Sequence, residues 1–289
     1  MKHSLQTLVP AIFVLVWSTG FIVARYGMPY SEPMTFMFLR FTGVLLVMVP
    51  VVLVQKVRWP SKQECWHIAI AGIMLQAGYL GGVWAAVKMG MSASLVALIM
   101  GLQPILTAWF AALVSERLSA RQWLGLLAGL FGVGLVVMTK LTLIGLSLLS
   151  LSFSALALVS ITFGTLYQKR FCPSFDLRAG SVLQFAASAL ACLPMMFMFE
   201  TREIEWAIPM IAALLWSIFA LSIGAISLLF IMIREGAATK VTSYLYLTPP
   251  TTAVMAWLLF GEPITVLTVL GTLITVLGLV LVTKSNISV

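Results

Sequence analysis

Charged residues are scarce in this chain. They make up 9% of its 289 residues, against about a quarter of an ordinary soluble domain. Hydrophobic residues make up 61%, and a soluble globule has no surface on which to carry so many apolar side chains. The net charge of +8 does not indicate a nucleic-acid partner, because the basic residues lie singly or in pairs along connecting segments. Composition therefore predicts an integral membrane protein.

Groups for catalysis, metal binding or redox chemistry are also few. The nine carboxylates include one aspartate, Asp176, and all nine lie in predicted loops or at span ends. This excludes proteolysis by paired aspartates and weakens a proton relay through buried carboxylates, which favours a facilitator or an exchanger. No GxSxG, HExxH or phosphate-binding glycine-rich loop is present, so we predict no enzyme, no ATP-driven pump, no cofactor and no metal. Three cysteines form no CxxC pair and are interpreted as free structural thiols: Cys65, Cys172 and Cys192.

Long apolar stretches dominate the rest of the chain. Each is close to the ~20 residues that a helix needs to cross about 30 Å of hydrocarbon. We predict ten spans, at 5–24, 33–54, 66–89, 91–114, 121–139, 144–168, 179–199, 206–233, 237–260 and 264–283. Spans three and four are separated by almost nothing except Gly90, where a left-handed glycine would permit a helical hairpin.

The sequence contains an internal repeat of about half its length. Gly90, Pro104, Gly125 and Gly132 recur 146 residues later as Gly236, Pro250, Gly271 and Gly278. Five spans per copy is an odd number, so the second copy enters the membrane from the opposite face and the repeats are inverted. We therefore predict an all-α fold of ten transmembrane helices in two inverted five-helix repeats, at residues 1–143 and 144–289.

The distribution of basic residues predicts the orientation. With the N-terminus inside, twelve basic residues lie on the cytoplasmic side and four on the other, as the positive-inside rule requires. Both termini are then cytoplasmic, in a multi-pass protein of the inner (plasma) membrane. The twelve are Lys2, Lys56, Arg58, Lys62, Arg117, Arg121, Lys169, Arg170, Arg178, Arg234, Lys240 and Lys284, and the four are Arg25, Lys88, Lys140 and Arg202.

Prolines interrupt spans four and nine at related positions. Pro104, Pro249 and Pro250 donate no hydrogen bond and clash with the carbonyl four residues earlier. A freed carbonyl in hydrocarbon is costly unless water or another group satisfies it. The prolines indicate either a water-lined cavity at mid-membrane or packed kinks satisfied by neighbouring hydroxyls. The carbonyls concerned are those of Met100, Leu245 and Tyr246, and Gly20, Gly90 and Gly236 are candidate flex points.

Arg40 is the one charged residue predicted to lie well inside a span. At the bilayer centre an arginine costs about 2.5–3.5 kcal/mol on insertion scales, so something must offset its charge. One interpretation is that it anchors an anionic substrate group or a gate. The other is that it bonds helix-end carbonyls or snorkels outward. Its equivalent in the second repeat is the uncharged Gln184.

Polar and aromatic residues inside the spans are candidates for a cavity wall. Tyr244, Thr248 and Thr251 share one helix face, as do Gln76 and Tyr79. Each polar group alone could instead be interhelical glue, and each aromatic ring could be core packing. The candidate substrate-binding residues are Trp17, Arg40, Gln76, Tyr79, Trp84, Gln103, Tyr244, Tyr246, Thr248 and Thr251.

Glycines at seven-residue spacing mark close packing in spans five and ten. We expect these faces to pack within their own half, with a homodimer contact as the alternative. Glu116 and Glu262 precede the two helices and are predicted to cap them. The glycines are Gly125, Gly129, Gly132, Gly271 and Gly278.

These residues together resemble the EamA domain. The first copy carries Pro104, Ser115-Glu116-Arg117-Leu118, Trp123, Gly125 and Gly132, with Trp17-Ser18-Thr19-Gly20-Phe21 and Phe38-Leu39-Arg40-Phe41 before them, and the second carries Pro250, Phe260-Gly261-Glu262-Pro263-Ile264, Gly271 and Gly278. The resemblance implies the drug/metabolite transporter superfamily, ten helices in a five-plus-five inverted arrangement, and a cavity lined by spans one, three, four, six, eight and nine. It also implies export of amino acids or other metabolites.

The resulting hypothesis is an alternating-access exporter of small amphipathic metabolites such as amino acids, acting in the lipid bilayer. Two alternatives come from other classes. One is a lipid scramblase or membrane enzyme, and the other is a non-transporting sensor, although loops of about a dozen residues or fewer offer little surface to a soluble partner.

Overall fold

The computed structural model describes residues 2–91, 96, 99–115, 118–138, 147–173, 175–236, 238–261 and 264–283. Within these ranges the chain is helical and forms no β-strand. The α-helices are α1 (Lys2–Gly27), α2 (Pro33–Val54), α3 (Lys62–Gly72), α4 (Tyr79–Lys88), α5 (Gln103–Trp109), α6 (Ala120–Met138), α7 (Leu148–Phe171), α8 (Leu177–Phe199), α9 (Ile208–Trp216), α10 (Ile226–Glu235), α11 (Ala238–Ser243), α12 (Thr248–Phe260) and α13 (Val266–Thr283).

Eight helical segments of the described chain are long and apolar enough to cross a bilayer. They match eight of the ten predicted spans, all except the fourth and the ninth. The fold is therefore that of an all-helical, multi-pass membrane protein. The eight segments are Leu8–Tyr30, Pro33–Val54, Lys62–Lys88, Ala120–Met138, Leu148–Phe171, Leu177–Phe199, Ile208–Arg234 and Val266–Thr283.

The two other predicted spans, at 91–114 and 237–260, contain shorter elements. Both α5 and α12 begin with proline in the first turn, Pro104 in α5, and Pro249 and Pro250 in α12. Proline is tolerated there because the first amides of a helix have no partner within it. The prolines thus act as helix starts rather than as bends within one continuous helix.

The turn before α12 changes one prediction. A 3-10 turn covers Tyr244–Leu247, and the Thr248 amide donates to the Leu245 carbonyl. The prediction that proline leaves the Leu245 carbonyl free was therefore wrong, because the tightened turn brings a donor from three residues on. The release of the carbonyls of Met100 and Tyr246 stays a prediction.

Two spans contain π-helical segments at equivalent places in the two repeats. Ile73–Gly78 joins α3 to α4, and Ser217–Ala225 joins α9 to α10. Their first residues are 144 positions apart, which is the spacing that relates Arg40 to Gln184. Such widened turns are frequent at functional sites. In the sequence both stretches resemble ordinary apolar spans, and neither was predicted.

The glycine faces of α6 and α13 pack against each other. A Cβ added to Gly125 would lie 2.6 Å from the Gly278 carbonyl oxygen, and one added to Gly132 would lie 2.6 Å from that of Gly271. The reverse contacts are equally close, at 2.6 and 2.5 Å. Two repeat-related helices therefore cross antiparallel at backbone contact. The prediction that these glycines pack within their own half was wrong, and the homodimer offered as the alternative stays a prediction.

Replacing Gly132 with alanine tests this contact. The new methyl group would meet the backbone of α13, which forces the two helices apart, and we expect a loss of about 1–3 kcal/mol in unfolding free energy. Gly134→Ala is the matched control, because a Cβ there meets nothing within 4 Å. Thermal unfolding in detergent should therefore show a lower Tm for Gly132→Ala only. Equal Tm values for the two variants would contradict this packing.

Helices α2 and α8 form a second antiparallel pair of repeat-related helices. The equivalent rings Phe41 and Phe185 meet with centroids 5.7 Å apart. At one end the Glu200 carboxylate accepts two backbone N–H bonds from the start of α2, both 2.7 Å long. At the other end Arg178 donates to Gln55. The Glu200 contact stabilises the start of α2, because the N-terminus of a helix is partly positive and attracts a carboxylate.

Hydroxyl side chains lie at the starts of α6 and α13 and bond to their first turns. The backbone N–H of Gln122 donates to Ser119 Oγ, and the side-chain oxygen Oε1 of Gln122 accepts from the backbone N–H of Ser119 at 2.8 Å. This reciprocal pair is a capping box. At the equivalent position in the second repeat, the Thr268 amide donates to Thr265 Oγ1 at 3.2 Å. Hydroxyl residues therefore hold both helix starts. Glu116 and Glu262 lie outside the described residues.

Gly90 has the predicted left-handed conformation, with φ +92°. It follows the end of α4, and the Met91 amide donates back to the Ala86 carbonyl at 3.1 Å, as in a Schellman ending. Its repeat equivalent Gly236 is extended, with φ −118°. The two glycines therefore end their helices in different ways.

Candidate functional site

A narrow cavity lies between the two halves of the chain. Its walls come from α1, α4, the starts of α5 and α12, α6 and the 3-10 turn before α12. About 30 Å³ is open to the centres of water molecules, and one water needs roughly 10–15 Å³ by that measure. The cavity therefore has room for two or three water molecules, which is too little for an amino acid. Its lining residues are Trp17, Tyr79, Met100, Gly101, Gln103, Pro104, Val133, Leu245, Tyr246, Thr248 and Pro249.

Seven of these lining residues were candidates from the sequence, and they come from both repeats. The lining residues Gly101 and Val133 were missed, and Met100 and Leu245 were named only for their carbonyls. They carry no polar signal, and nothing in an apolar span distinguishes the helix face that lines a cavity from the face that meets lipid.

Two aromatic rings form one side of the cavity. Trp17 and Tyr79 are parallel within 3°, with ring centroids 6.2 Å apart, and Phe13 packs behind Trp17 at 5.1 Å. Trp17 is partly buried and also contacts the main hydrophobic core. It therefore serves both interpretations, as a cavity wall and as core packing.

Polar groups face this aromatic pair from the proline-led helices. Gln103 begins α5 and is 2% exposed. Thr248 begins α12, and its buried Oγ1 has no hydrogen-bond partner within the described structure. A buried hydroxyl without a partner costs about 1–3 kcal/mol, so the site favours a ligand or water that can bond to it.

Tyr246 is a lining residue with a structural role. It is 1% exposed, and its hydroxyl donates to the Leu126 carbonyl of α6 at 3.1 Å. Its ring also fills the space at Gly129, where an added Cβ would lie 2.6 Å away. The hydroxyl is thus already engaged across the two halves.

Arg40 lies beside the cavity rather than in its lining. It is 3% exposed, and its Nε donates to the Ser222 hydroxyl of the second π-helical segment at 2.7 Å. This bond is to a side chain of the other half, not to a helix-end carbonyl. Tyr79 lies within electrostatic range of the guanidinium. Among the described residues the one ion pair is Arg178–Asp176, so no described carboxylate neutralises Arg40.

The equivalent position in the second half is uncharged and differently bonded. Gln184 Nε2 donates to Gln168 Oε1 of α7 at 2.9 Å, and the α8 backbone at Gln184 packs on Gly72 of α3. The halves therefore present a cation at one site and an amide pair at the other. The sequence indicated the difference in charge but not the bond to Gln168.

The other sequence candidates lie outside the cavity lining. Trp84 is 4% exposed and stacks on Phe36, with centroids 4.7 Å apart. Gln76 is fully buried in the first π-helical segment, and neither polar atom of its amide has a described partner. Tyr244 and Thr251 are partly buried. Also outside are Pro250, Gly20, Gly90 and Gly236.

Metal-binding groups are not clustered in the described part of the chain. No three residues among its histidines, cysteines, aspartates and glutamates lie together as a metal site would require.

Comparison with known proteins identifies the relatives of this chain. The profile of a family described as "EamA-like transporter family" matches residues 7–138 and 148–284. "Uncharacterized transporter YvbV" of Bacillus subtilis is 28% identical over 96% of this chain and 91% of its own length. "Uncharacterized inner membrane transporter YedA" of Escherichia coli K12 is 24% identical over 97% of this chain and 92% of its own length. "Probable amino-acid metabolite efflux pump" of Salmonella typhimurium is 23% identical, over 93% and 91%.

A solved crystal structure shares the fold. It has a TM-score of 0.80 with this structure, and the match covers 97% of each chain at 18% sequence identity.

Proposed function

Because the chain belongs to the EamA-like transporter family, we propose that it is a secondary transporter that exports small organic metabolites, amino acids or related amphipathic compounds, across the inner membrane. The observation that carries the proposal is the cavity whose walls come from both repeats. The efflux pump of Salmonella typhimurium, related over most of both chains, supports the direction and the substrate class.

The mechanism we propose is alternating access in a ten-helix, five-plus-five inverted arrangement with cytoplasmic termini. The segments around α5 and α12 act as the fourth and ninth spans, each interrupted at its prolines. Repeat-related helices that pack antiparallel, α2 with α8 and α6 with α13, support the inversion. Rocking of the halves would enlarge the narrow cavity toward one side and then the other.

Within this proposal the cavity residues and the neighbouring Arg40 divide the recognition of an amphipathic substrate. The Trp17 and Tyr79 rings contact its apolar part. Gln103 and Thr248 hydrogen-bond to its polar groups. Arg40 balances a carboxylate, which would give the buried guanidinium the counter-charge that no described residue supplies. Gly20, Gly90 and Gly236 absorb backbone changes.

Reconstitution tests the function directly. Purified protein in proteoliposomes should move radiolabelled amino acids faster than protein-free vesicles, and a panel with and without an imposed pH gradient will separate proton coupling from exchange. A fluorescent lipid in the same vesicles reports scrambling. Lipid turnover without amino-acid movement would replace the transport proposal with the scramblase alternative, and movement of neither would contradict both.

A further inference from the structure

A second cavity lies away from the central one, between the end of α7, the connection to α8, and α10. About 60 Å³ is open to the centres of water molecules, which is room for four to six water-sized groups at roughly 10–15 Å³ each. Lys169, Arg234 and Gln168 line it on the polar side. Phe175 and Phe230 line it on the apolar side, edge to face at 6.3 Å.

The charge of this cavity is positive and not neutralised by the described chain. Lys169 Nζ donates to the carbonyls of Ile233 and Gly236, at 3.0 and 2.5 Å, which leaves one ammonium hydrogen for another acceptor. Arg234 is exposed in the last turn of α10. The described ion pair, Arg178–Asp176, is elsewhere on the same face, so neither cation has a described carboxylate partner.

Asp176, an acid beside the cavity, already has a partner. Asp176 lies between two lining residues, but Arg178 donates to it from Nε and the backbone at 3.0 and 2.9 Å. These bonds hold the pKa of the Asp176 carboxyl below its usual value. The carboxylate therefore stays ionised at neutral pH and bound to Arg178, instead of competing for Lys169.

The cavity lies at one end of the helical bundle. It is built on the last turns of α7 and α10, two spans that end on the same side of the membrane as the start of α3, where His67 Nδ1 meets the Tyr167 hydroxyl at 2.6 Å. This is the side that carries most of the basic residues. Basic pockets between spans at the cytoplasmic surface attract anionic headgroups.

We propose that this second cavity binds the phosphate group of an anionic phospholipid of the surrounding leaflet. The phosphate oxygens accept from the Lys169 ammonium, the Arg234 guanidinium and the Gln168 amide, while Phe175 and Phe230 pack against the glycerol and the first acyl carbons. A lipid bound here would join the end of α7 to the junction of α10 and α11, through the Lys169 bonds to Ile233 and Gly236. The site is separate from the proposed transport cavity.

The test compares lipids and charge variants. Purified protein in detergent is titrated with phosphatidylglycerol or phosphatidylcholine, and bound lipid is counted by native mass spectrometry. We expect phosphatidylglycerol to be preferred, and Arg234→Gln to weaken its binding about fivefold, since a basic residue near the membrane surface is worth about that factor. Lys62→Gln, at an exposed position on the same side, is the matched control and should bind as the unaltered protein does.

Lys169→Gln should weaken binding at least as much, although its loss also frees two carbonyls. If Lys169→Gln does not fold, Arg234→Gln alone tests the site. The Arg234 side chain is exposed and makes no described hydrogen bond within the protein, so its loss should not affect folding. Equal binding of the two lipids, or an equal loss in Lys62→Gln, would overturn the site. Binding of soluble glycerol 3-phosphate without any preference for phosphatidylglycerol would overturn the lipid as its source. Amino-acid transport is not needed for either readout.

Discussion

Arg40→Gln will lower the transport efficiency for carboxylate-bearing substrates by about 10- to 100-fold. A hydrogen bond to a charged group contributes about 1.5–3 kcal/mol, and 1.4 kcal/mol is a factor of ten. Glutamine keeps a polar side chain beside Ser222 but has no charge to balance a carboxylate. Amines without a carboxylate should be moved as well as before, or better, because a buried cation repels them. Proteoliposome uptake of an amino acid and of its decarboxylated amine measures the ratio.

The control separates charge from support. Ser222→Ala removes the hydroxyl that accepts from Arg40 Nε at 2.7 Å but keeps the guanidinium. We expect a smaller loss, and one that does not distinguish carboxylates from amines. If Arg40→Gln reduces transport of both substrates equally, with the same protein yield, then Arg40 is a structural residue that links α2 to the second π-helical segment, and its proposed role fails.

Trp17→Ala should reduce transport of apolar amino acids by about tenfold or more while leaving membrane insertion intact. Removing the indole deletes the ring that lies parallel to Tyr79 and with it much of the apolar surface of the cavity wall. Loss of a large buried aromatic contact costs about 3–5 kcal/mol in a core, and part of that should appear as weaker substrate binding. Uptake at several substrate concentrations, normalised to the amount of protein in the vesicles, gives the effect on KM.

Trp109→Ala is the matched control for this substitution. Trp109 ends α5 and is 72% exposed, so its indole meets lipid or the interface rather than the cavity. It should transport as the unaltered protein does. Unchanged transport in Trp17→Ala, or an equal loss in both variants, would remove Trp17 from the substrate site.

The two repeats differ in charge at Arg40 and its equivalent Gln184, and the two side chains also bond differently. Arg40 reaches into the second half, to Ser222, whereas Gln184 bonds Gln168 within its own half. The two repeat-related positions are therefore not interchangeable.

Several features of the site were within reach of the sequence. The duplicated prolines predicted broken spans, and α5 and α12 begin at those prolines. Trp17, Tyr79, Gln103 and Thr248 were predicted because polar or aromatic groups are costly or conspicuous in an apolar span, and the structure brings all four to one cavity.

Other features could not be predicted in this way. Trp84 and Trp17 are both tryptophans inside predicted spans, but Trp84 stacks on Phe36 in the core and does not line the cavity. The π-helical segments lack any compositional mark. The glycine faces of α6 and α13 were predicted to pack within their own halves, but they pack on each other. Seven-residue spacing of glycines indicates close packing and does not identify the helix that packs there.

The sequence by itself determined the membrane class, the duplication and the positions of eight spans. These are properties of composition and of residue order along the chain. The thickness of the hydrocarbon layer sets the length of apolar sequence that a spanning helix needs, so the spans can be located from the sequence. The tertiary structure decided which faces meet: α6 on α13, Arg40 on Ser222, and Lys169 on the end of α10. In a soluble helix an apolar stripe fixes the buried face, but in lipid every face is apolar, so rotation about each helix axis is set only by contacts between residues far apart in the chain.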